Sequence, residues 1–182
     1  MDDIGMLSSD GRKGLVIVIT GHGKGKTTAA FGQAMRAVGH GLRVQVIQFL
    51  KKVESGEVRA ASRLEGLTVK QFGTGDFVDL DQPEPREFEM ARLGLEAARK
   101  AVEDPQTDMV ILDEINTALC CRLLPLPDIL FLINNRRPGL HLILTGRDAP
   151  VEIIELADTV SEIVEIKHHH SRGDTARKGI EY

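Results

Sequence analysis

Residues 15–31 read LVIVITGHGKGKTTAAF, and the character of the chain changes twice along them. Leu15–Ile19 is a short β-branched apolar run, the pattern of a strand buried on both faces. From about Thr27 the pattern becomes helical: Ala30, Ala34 and Val38 share one face, with Phe31 and Met35 beside them. Between strand and helix lies Thr20-Gly21-His22-Gly23-Lys24-Gly25-Lys26-Thr27-Thr28. Glycines let the backbone curl so that successive N–H groups point into one concavity. The helix N-terminus adds partial positive charge at the same place. Lys26 brings a full charge for phosphate oxygens, and the Thr27 hydroxyl can ligate Mg²⁺. The loop is therefore read as a nucleoside triphosphate site, with Gly21, His22, Gly23, Lys24, Gly25, Lys26, Thr27 and Thr28 as candidate ATP-binding residues. The pattern G-x-x-x-x-G-K-[ST] would put its first glycine at residue 20, where Thr20 stands; the first glycine is Gly21, so this loop is one residue shorter.

Working outward, further strands are expected at Arg43–Phe49, Leu67–Phe72, Met109–Leu112, Leu140–Leu144 and Thr159–Ile166. Helices are expected at Glu57–Leu64, from Phe88 through Val102 with Ala91, Leu95 and Ala98 on the same stripe, at 116–124 and 127–135, and at Val151–Ala157. Alternating strands and helices imply βαβ units: an α/β fold of three layers, with a mainly parallel sheet of about six strands. The 182 residues suit one domain, 14–182, preceded by a polar and mobile segment 1–13. The segment 73–85 (GTGDFVDLDQPEP) is a long loop, and its acids at 76, 79 and 81 fit a solvated loop face.

Two more segments end strands on the edge where open α/β sheets bind ligands. Val110-Ile111-Leu112 runs into Asp113 and Glu114, acids placed to hold Mg²⁺ directly or through water; as a bland alternative they cap the following helix. Leu144-Thr145-Gly146 runs into Arg147, a donor for a phosphate oxygen or else a solvated arginine. Net charge is −4 and no stretch concentrates Lys and Arg, which disfavours a nucleic-acid partner. No apolar run approaches the roughly 18 residues of a membrane span. The adjacent Cys120 and Cys121 make a poor disulfide or metal pair and read as small semi-buried residues in a reducing, cytoplasmic compartment. His168–His170 converge poorly on one ion and read as solvated tail.

Taken together, TGHGKGKTTAAFGQAMRAVGHG, QFLK at 48–51, DMVILDE, LPLPDI, LILTGR, LADTVSEI and the ending KH…GIEY resemble the ATP:corrinoid adenosyltransferases of the cob(I)alamin type. The similarity runs from about residue 14 to the C-terminus. It implies a RecA-like P-loop fold, a homodimer and a role in cobalamin biosynthesis and salvage. It implies transfer of the 5′-deoxyadenosyl group of ATP to the Co(I) centre of a reduced corrinoid, such as cob(I)yrinic acid a,c-diamide or cob(I)alamin, with release of triphosphate. It implies that a flavoprotein supplies the electrons. By the same resemblance Lys26 and Glu114 are catalytic, and Thr27 and Glu114, ahead of Asp113, hold Mg²⁺. Arg36 and Arg147 support phosphates, and His22 faces the nucleoside. Family members carry a longer N-terminal arm and an aromatic pair including Trp on the corrinoid side; this chain has no Trp and retains Phe77. The residues alone leave open a P-loop kinase or ATPase acting on another small molecule, or a non-catalytic nucleotide-binding module.

Overall fold

The computed structural model describes residues 13–75, 83–169 and 173–182. Residues 1–12, the acids at 76, 79 and 81, Phe77 and His170 lie outside the described residues. The elements run β1 (Val16–Thr20), α1 (Lys26–Gly39), β2 (Val44–Phe49), α2 (Gly56–Ala61), β3 (Leu67–Phe72), α3 (Pro85–Glu103), β4 (Met109–Asp113), α4 (Ile115–Cys120), α5 (Leu126–Asn135), β5 (His141–Thr145), α6 (Val151–Leu156) and β6 (Thr159–Glu162). The six strands form one sheet in the order β3-β2-β4-β5-β1-β6, and every pairing is parallel.

Side chains alternate between the two faces of a strand, so each strand feeds two cores. Val110 and Leu112 of β4 join Val16, Val18, Ile47 and Phe49 beneath α3, α4, α5 and α6. Met109 and Ile111 point the other way, with Val46 and Ile143, beneath α1 and α2. That is the three-layer α/β arrangement the alternating pattern predicts. All strand C-termini face one edge, and the chain crosses that edge at the glycine loop, after Asp113 and after Thr145.

Boundaries moved where backbone hydrogen bonding redirected the chain. β6 stops at Glu162 rather than Ile166 because Ile163 turns onto the glycine loop: its N–H donates to the Thr20 carbonyl at 2.8 Å and its carbonyl accepts from Gly23 at 2.7 Å. α4 stops at Cys120 because Arg122 takes a left-handed φ of 55° while the Leu123 N–H reaches back to the Ala118 carbonyl at 3.0 Å. α3 begins at Pro85, and its Glu87 side chain folds back to accept the Glu84 N–H at 2.7 Å. That phase buries Glu87, Ala91, Leu95, Ala98 and Val102 and leaves Phe88 exposed, contrary to the expected stripe. Met35 is also exposed, on the outer side of α1. Gly94 lets α3 lie close to the sheet: a Cβ there would fall 2.7 Å from Cε1 of Phe49.

The two cysteines divide. Cys120 is exposed and Cys121 is buried, so the expectation of two similar semi-buried thiols is corrected. Burial first, then the neighbouring Cys120, Glu87 and Glu114, push the Cys121 thiol up to about 11. A disulfide-exchange reagent at about pH 8 should therefore titrate one thiol rapidly and the second only after unfolding. Rapid reaction of both in the folded protein would contradict this burial.

Candidate functional site

The glycine loop is shaped by what it packs on. Gly21 has φ 96° and Gly25 φ 122°, conformations L side chains rarely adopt. A Cβ on Gly21 or Gly23 would fall 2.5 or 2.8 Å from the Ile163 carbonyl oxygen. Strand β6 and its continuation thus clamp the loop from one side. On the other side Gly25 opens α1, whose first N–H groups have no acceptor within the helix. The Lys26 ammonium curls under the loop and donates to the carbonyls of Gly21 at 2.7 Å and Gly23 at 2.9 Å.

A cavity of about 650 Å³ lies over this loop, within the range of small-molecule sites. His22 through Thr27 line it, with Glu114 and Arg147 from the neighbouring strand ends. The structure therefore brings together most of the residues the sequence singled out. Gly21 contributes its carbonyl from beneath. Thr28 lines a separate apolar cavity between α1 and α2. His22 is exposed at the rim, with Nε2 3.3 Å from Asp148. Arg36 is not brought to the cavity: it is exposed on α1 and turned to Gln33 of its own helix. The reason is helical phase, since Arg36 lies between the core residues Ala34 and Ala37 on the solvent side.

Asp113 is wholly buried and fully partnered. Its Oδ1 accepts from the hydroxyls of Thr27 at 3.0 Å and Thr145 at 2.7 Å; its Oδ2 accepts from Gln48 at 2.9 Å and the Lys51 ammonium at 2.7 Å. Burial alone would raise its pKa, but the Lys51 charge and these hydrogen bonds outweigh it and hold the carboxyl below its ordinary value. Glu114 sits in the left-handed region at φ 63°. Its N–H donates to the Thr145 hydroxyl at 2.9 Å, and its Oε2 accepts from the Thr117 hydroxyl at 2.6 Å. A non-glycine residue held there carries a cost of about 1–3 kcal/mol and marks an aimed side chain. Leu50, at the end of β2, is left-handed in the same way with φ 59°, and Lys51 follows it.

Thr27, Asp113 and Glu114 offer a hydroxyl and two carboxylates, the hard oxygen donors that Mg²⁺ prefers. A positive centre already fits among them: the Lys51 ammonium lies 2.8 Å from the Thr27 hydroxyl, 2.7 Å from Asp113 and 3.9 Å from Glu114. With so few side-chain donors, a Mg²⁺ here would complete its shell with water and phosphate oxygens.

Three cations, Lys26, Lys51 and Arg147, gather close to the loop. Desolvation leads in lowering the Lys26 pKa, and Arg147 and Lys51 lower it further, against the pull of Glu114 and Asp113. Crowded, partly dehydrated cations are relieved by a polyanion.

Sequence reasoning assigned no role to Lys51, Gln48 or the C-terminal tail. Lys51 stands in the quoted segment QFLK, but without the turn at Leu50 nothing in the pattern aims it inward. The tail, expected to be solvated, folds back on the loop. Lys24 donates to the Ile180 carbonyl at 2.6 Å and lies 3.6 Å from Glu181, which faces His169 at 3.3 Å. His168 stacks on His169 with ring centroids 4.4 Å apart, and both are half-buried, which corrects the solvated reading for that pair. His168, Glu181 and Tyr182 line the cavity.

The family model described as ATP:corrinoid adenosyltransferase BtuR/CobO/CobP matches residues 12–182. The corrinoid adenosyltransferase of Escherichia coli (strain K12) is 38% identical over 180 residues, covering 99% of this chain and 91% of that protein. Corrinoid adenosyltransferase CobA of Salmonella typhimurium (strain LT2) is 38% identical over 170 residues, 93% of this chain and 86% of its own. The corrinoid adenosyltransferase of Pseudomonas aeruginosa is 38% identical over 172 residues, with 93% and 84% covered.

Proposed function

The chain belongs to the ATP:corrinoid adenosyltransferase family, and from that premise we propose that it moves the 5′-deoxyadenosyl group of ATP onto the cobalt of a reduced corrinoid. The single observation that carries this for the chain's own residues is the cavity over the glycine loop. It holds a phosphate cradle, two hydrogen-bonded strand-end acids and the cations Lys26, Lys51 and Arg147, and among the described residues no arrangement resembling a Ser-His-Asp set. The nucleophile comes with the substrate. Co(I) donates an electron pair to C5′ to form the cobalt–carbon bond, the C5′–O bond breaks, and its bonding pair leaves on inorganic triphosphate. No proton has to move.

The protein's work is then placement and charge. The N–H groups from Gly21 to Thr27 cradle the triphosphate, and Lys26 leaves the loop carbonyls to meet its oxygens. Arg147 neutralises further charge from the rim. Thr27 and Glu114, with Asp113 behind them, hold Mg²⁺, which when bound offsets negative charge on the leaving triphosphate. Thr117 keeps Glu114 oriented through their 2.6 Å hydrogen bond. His22, at the rim, faces the nucleoside. Phe77 is assigned to the corrinoid side on the family resemblance alone.

We treat 14–182 as one nucleotide-binding adenosyltransferase domain acting in the cytoplasm with a flavoprotein reductant, the latter by family resemblance. Among the described residues, no helix is long and apolar enough to cross a membrane. A homodimer accords with β6, an edge strand whose four residues are all exposed, Val160 included.

The test is direct. Purified protein, ATP, Mg²⁺ and chemically reduced cobalamin should give the visible spectrum of the adenosylated product together with triphosphate. ADP and a phosphorylated acceptor would instead mean a kinase, and ATP binding without turnover a carrier module. In the same assay Glu114→Gln should lower kcat by roughly 10²-fold with little change in ATP affinity, since metal placement matters most in the transition state. An unchanged rate at saturating Mg²⁺ would remove Glu114 from the site.

A further inference from the structure

Asp113 has no exposed surface, and a carboxylate so far from water needs a compensating positive charge. Lys51 provides it. Its ammonium donates to Asp113 Oδ2 at 2.7 Å and to the Thr27 hydroxyl at 2.8 Å, and lies 3.9 Å from Glu114 Oε1. Those are the same three groups assigned above to the divalent cation. A metal ion and this ammonium cannot share one set of oxygens, because both are positive and both need the same lone pairs.

We propose that Lys51 is a built-in stand-in for the divalent cation, keeping Thr27, Asp113 and Glu114 in register without nucleotide and yielding the position to the metal that arrives with ATP. This rests on reading those oxygens as the metal site. The side chain suits exchange. A lysine carries a point charge on a flexible four-carbon stem, without the fixed fork of arginine. It is about one-third exposed and lines the cavity, so its tip has room to swing outward. Left-handed Leu50 roots it at the cavity wall. Once displaced, its charge remains in the cavity beside Lys26 and Arg147, where a triphosphate is the natural anion to receive it. The metal's arrival thus brings one more cation to the phosphates. Without nucleotide, the tethered ammonium keeps bare metal out.

The check is Mn²⁺ binding followed by electron paramagnetic resonance, with thermal melting in parallel. Without nucleotide, Lys51→Met should bind Mn²⁺ at least about tenfold more tightly than wild type, because no internal cation competes. Its melting temperature should fall and recover as Mg²⁺ is added, whereas that of the wild type stays flat. Lys51→Gln keeps a neutral donor toward Asp113 and carries the same titration if the methionine variant does not fold. Equal Mn²⁺ affinity in wild type and the folded variants, with no divalent-dependent recovery, would overturn the stand-in. If wild type with ATP still held Mn²⁺ more tightly than Glu114→Gln does, the metal site itself would survive that result. If Glu114→Gln made no difference either, both readings would fall together.

Discussion

Lys26→Ala is expected to weaken ATP binding and cut adenosyl transfer by on the order of 10³-fold while the protein stays folded. The side chain is 8% exposed, yet among the described residues its ammonium bonds only to two loop carbonyls, Gly21 and Gly23. Those carbonyls can relax toward water once it is gone, so stability changes little. The electrostatics change a great deal. Desolvation and the charges of Arg147 and Lys51 disfavour this ammonium, against the pull of Glu114 and Asp113. A triphosphate reverses that balance, and its negative charge grows at the leaving oxygen as the C–O bond breaks. Removing Lys26 takes away the cation closest to the cradle's floor. Single-turnover rates and calorimetric ATP titration measure the two losses separately. Turnover like wild type would contradict the assignment of the loop.

Asp113→Ala should be the most damaging single change to stability among these residues, about 3–5 kcal/mol, because it leaves the Thr27 and Thr145 hydroxyls and the Gln48 amide without their acceptor at once. Thr27, Thr145, Gln48 and Lys51 all donate to this one carboxylate, from α1, β5, β2 and the turn after β2. The melting temperature should drop by on the order of 10 °C. Acid acts on the same contact. Because the folded pKa is depressed, the stabilising contribution is present above the unfolded value of about 3.9 and fades as pH falls through the lower folded value. The variant should accordingly lose part of the wild type's acid sensitivity. A melting temperature within a degree or so of wild type would mean the four donors do not depend on Asp113.

Much of this could be read before any coordinates. The short, β-branched-rich runs at 15–19, 43–49 and 109–112 read as strands, and their alternation with helical stretches reads as a parallel sheet. The glycines at 21, 23 and 25 place the loop because their backbone angles and close contacts leave no alternative residue. Asp113 and Glu114 announce themselves as acids ending such a strand. What stayed hidden depends on long-range closure. Lys51 looks like any loop lysine until Leu50 turns it. Ile163 looks like the middle of a strand until its carbonyl is claimed by Gly23. The tail reads as solvated because its partner, Lys24, lies 156 residues away from Ile180. Phe88 shares the apolar stripe in sequence, but the start of α3, set by Pro85 and Glu87, decides which residues face the sheet and turns Phe88 outward.

Leu50 and Glu114 end neighbouring strands, and each keeps a backbone shape that glycine would adopt more easily. A lineage under selection for heat tolerance would find relief at both positions by giving up the side chain's rigidity. At Leu50 the exchange would loosen the root of the neighbouring Lys51 amine, and at Glu114 it would delete the carboxylate outright, so durability and aim pull in opposite directions at those two residues.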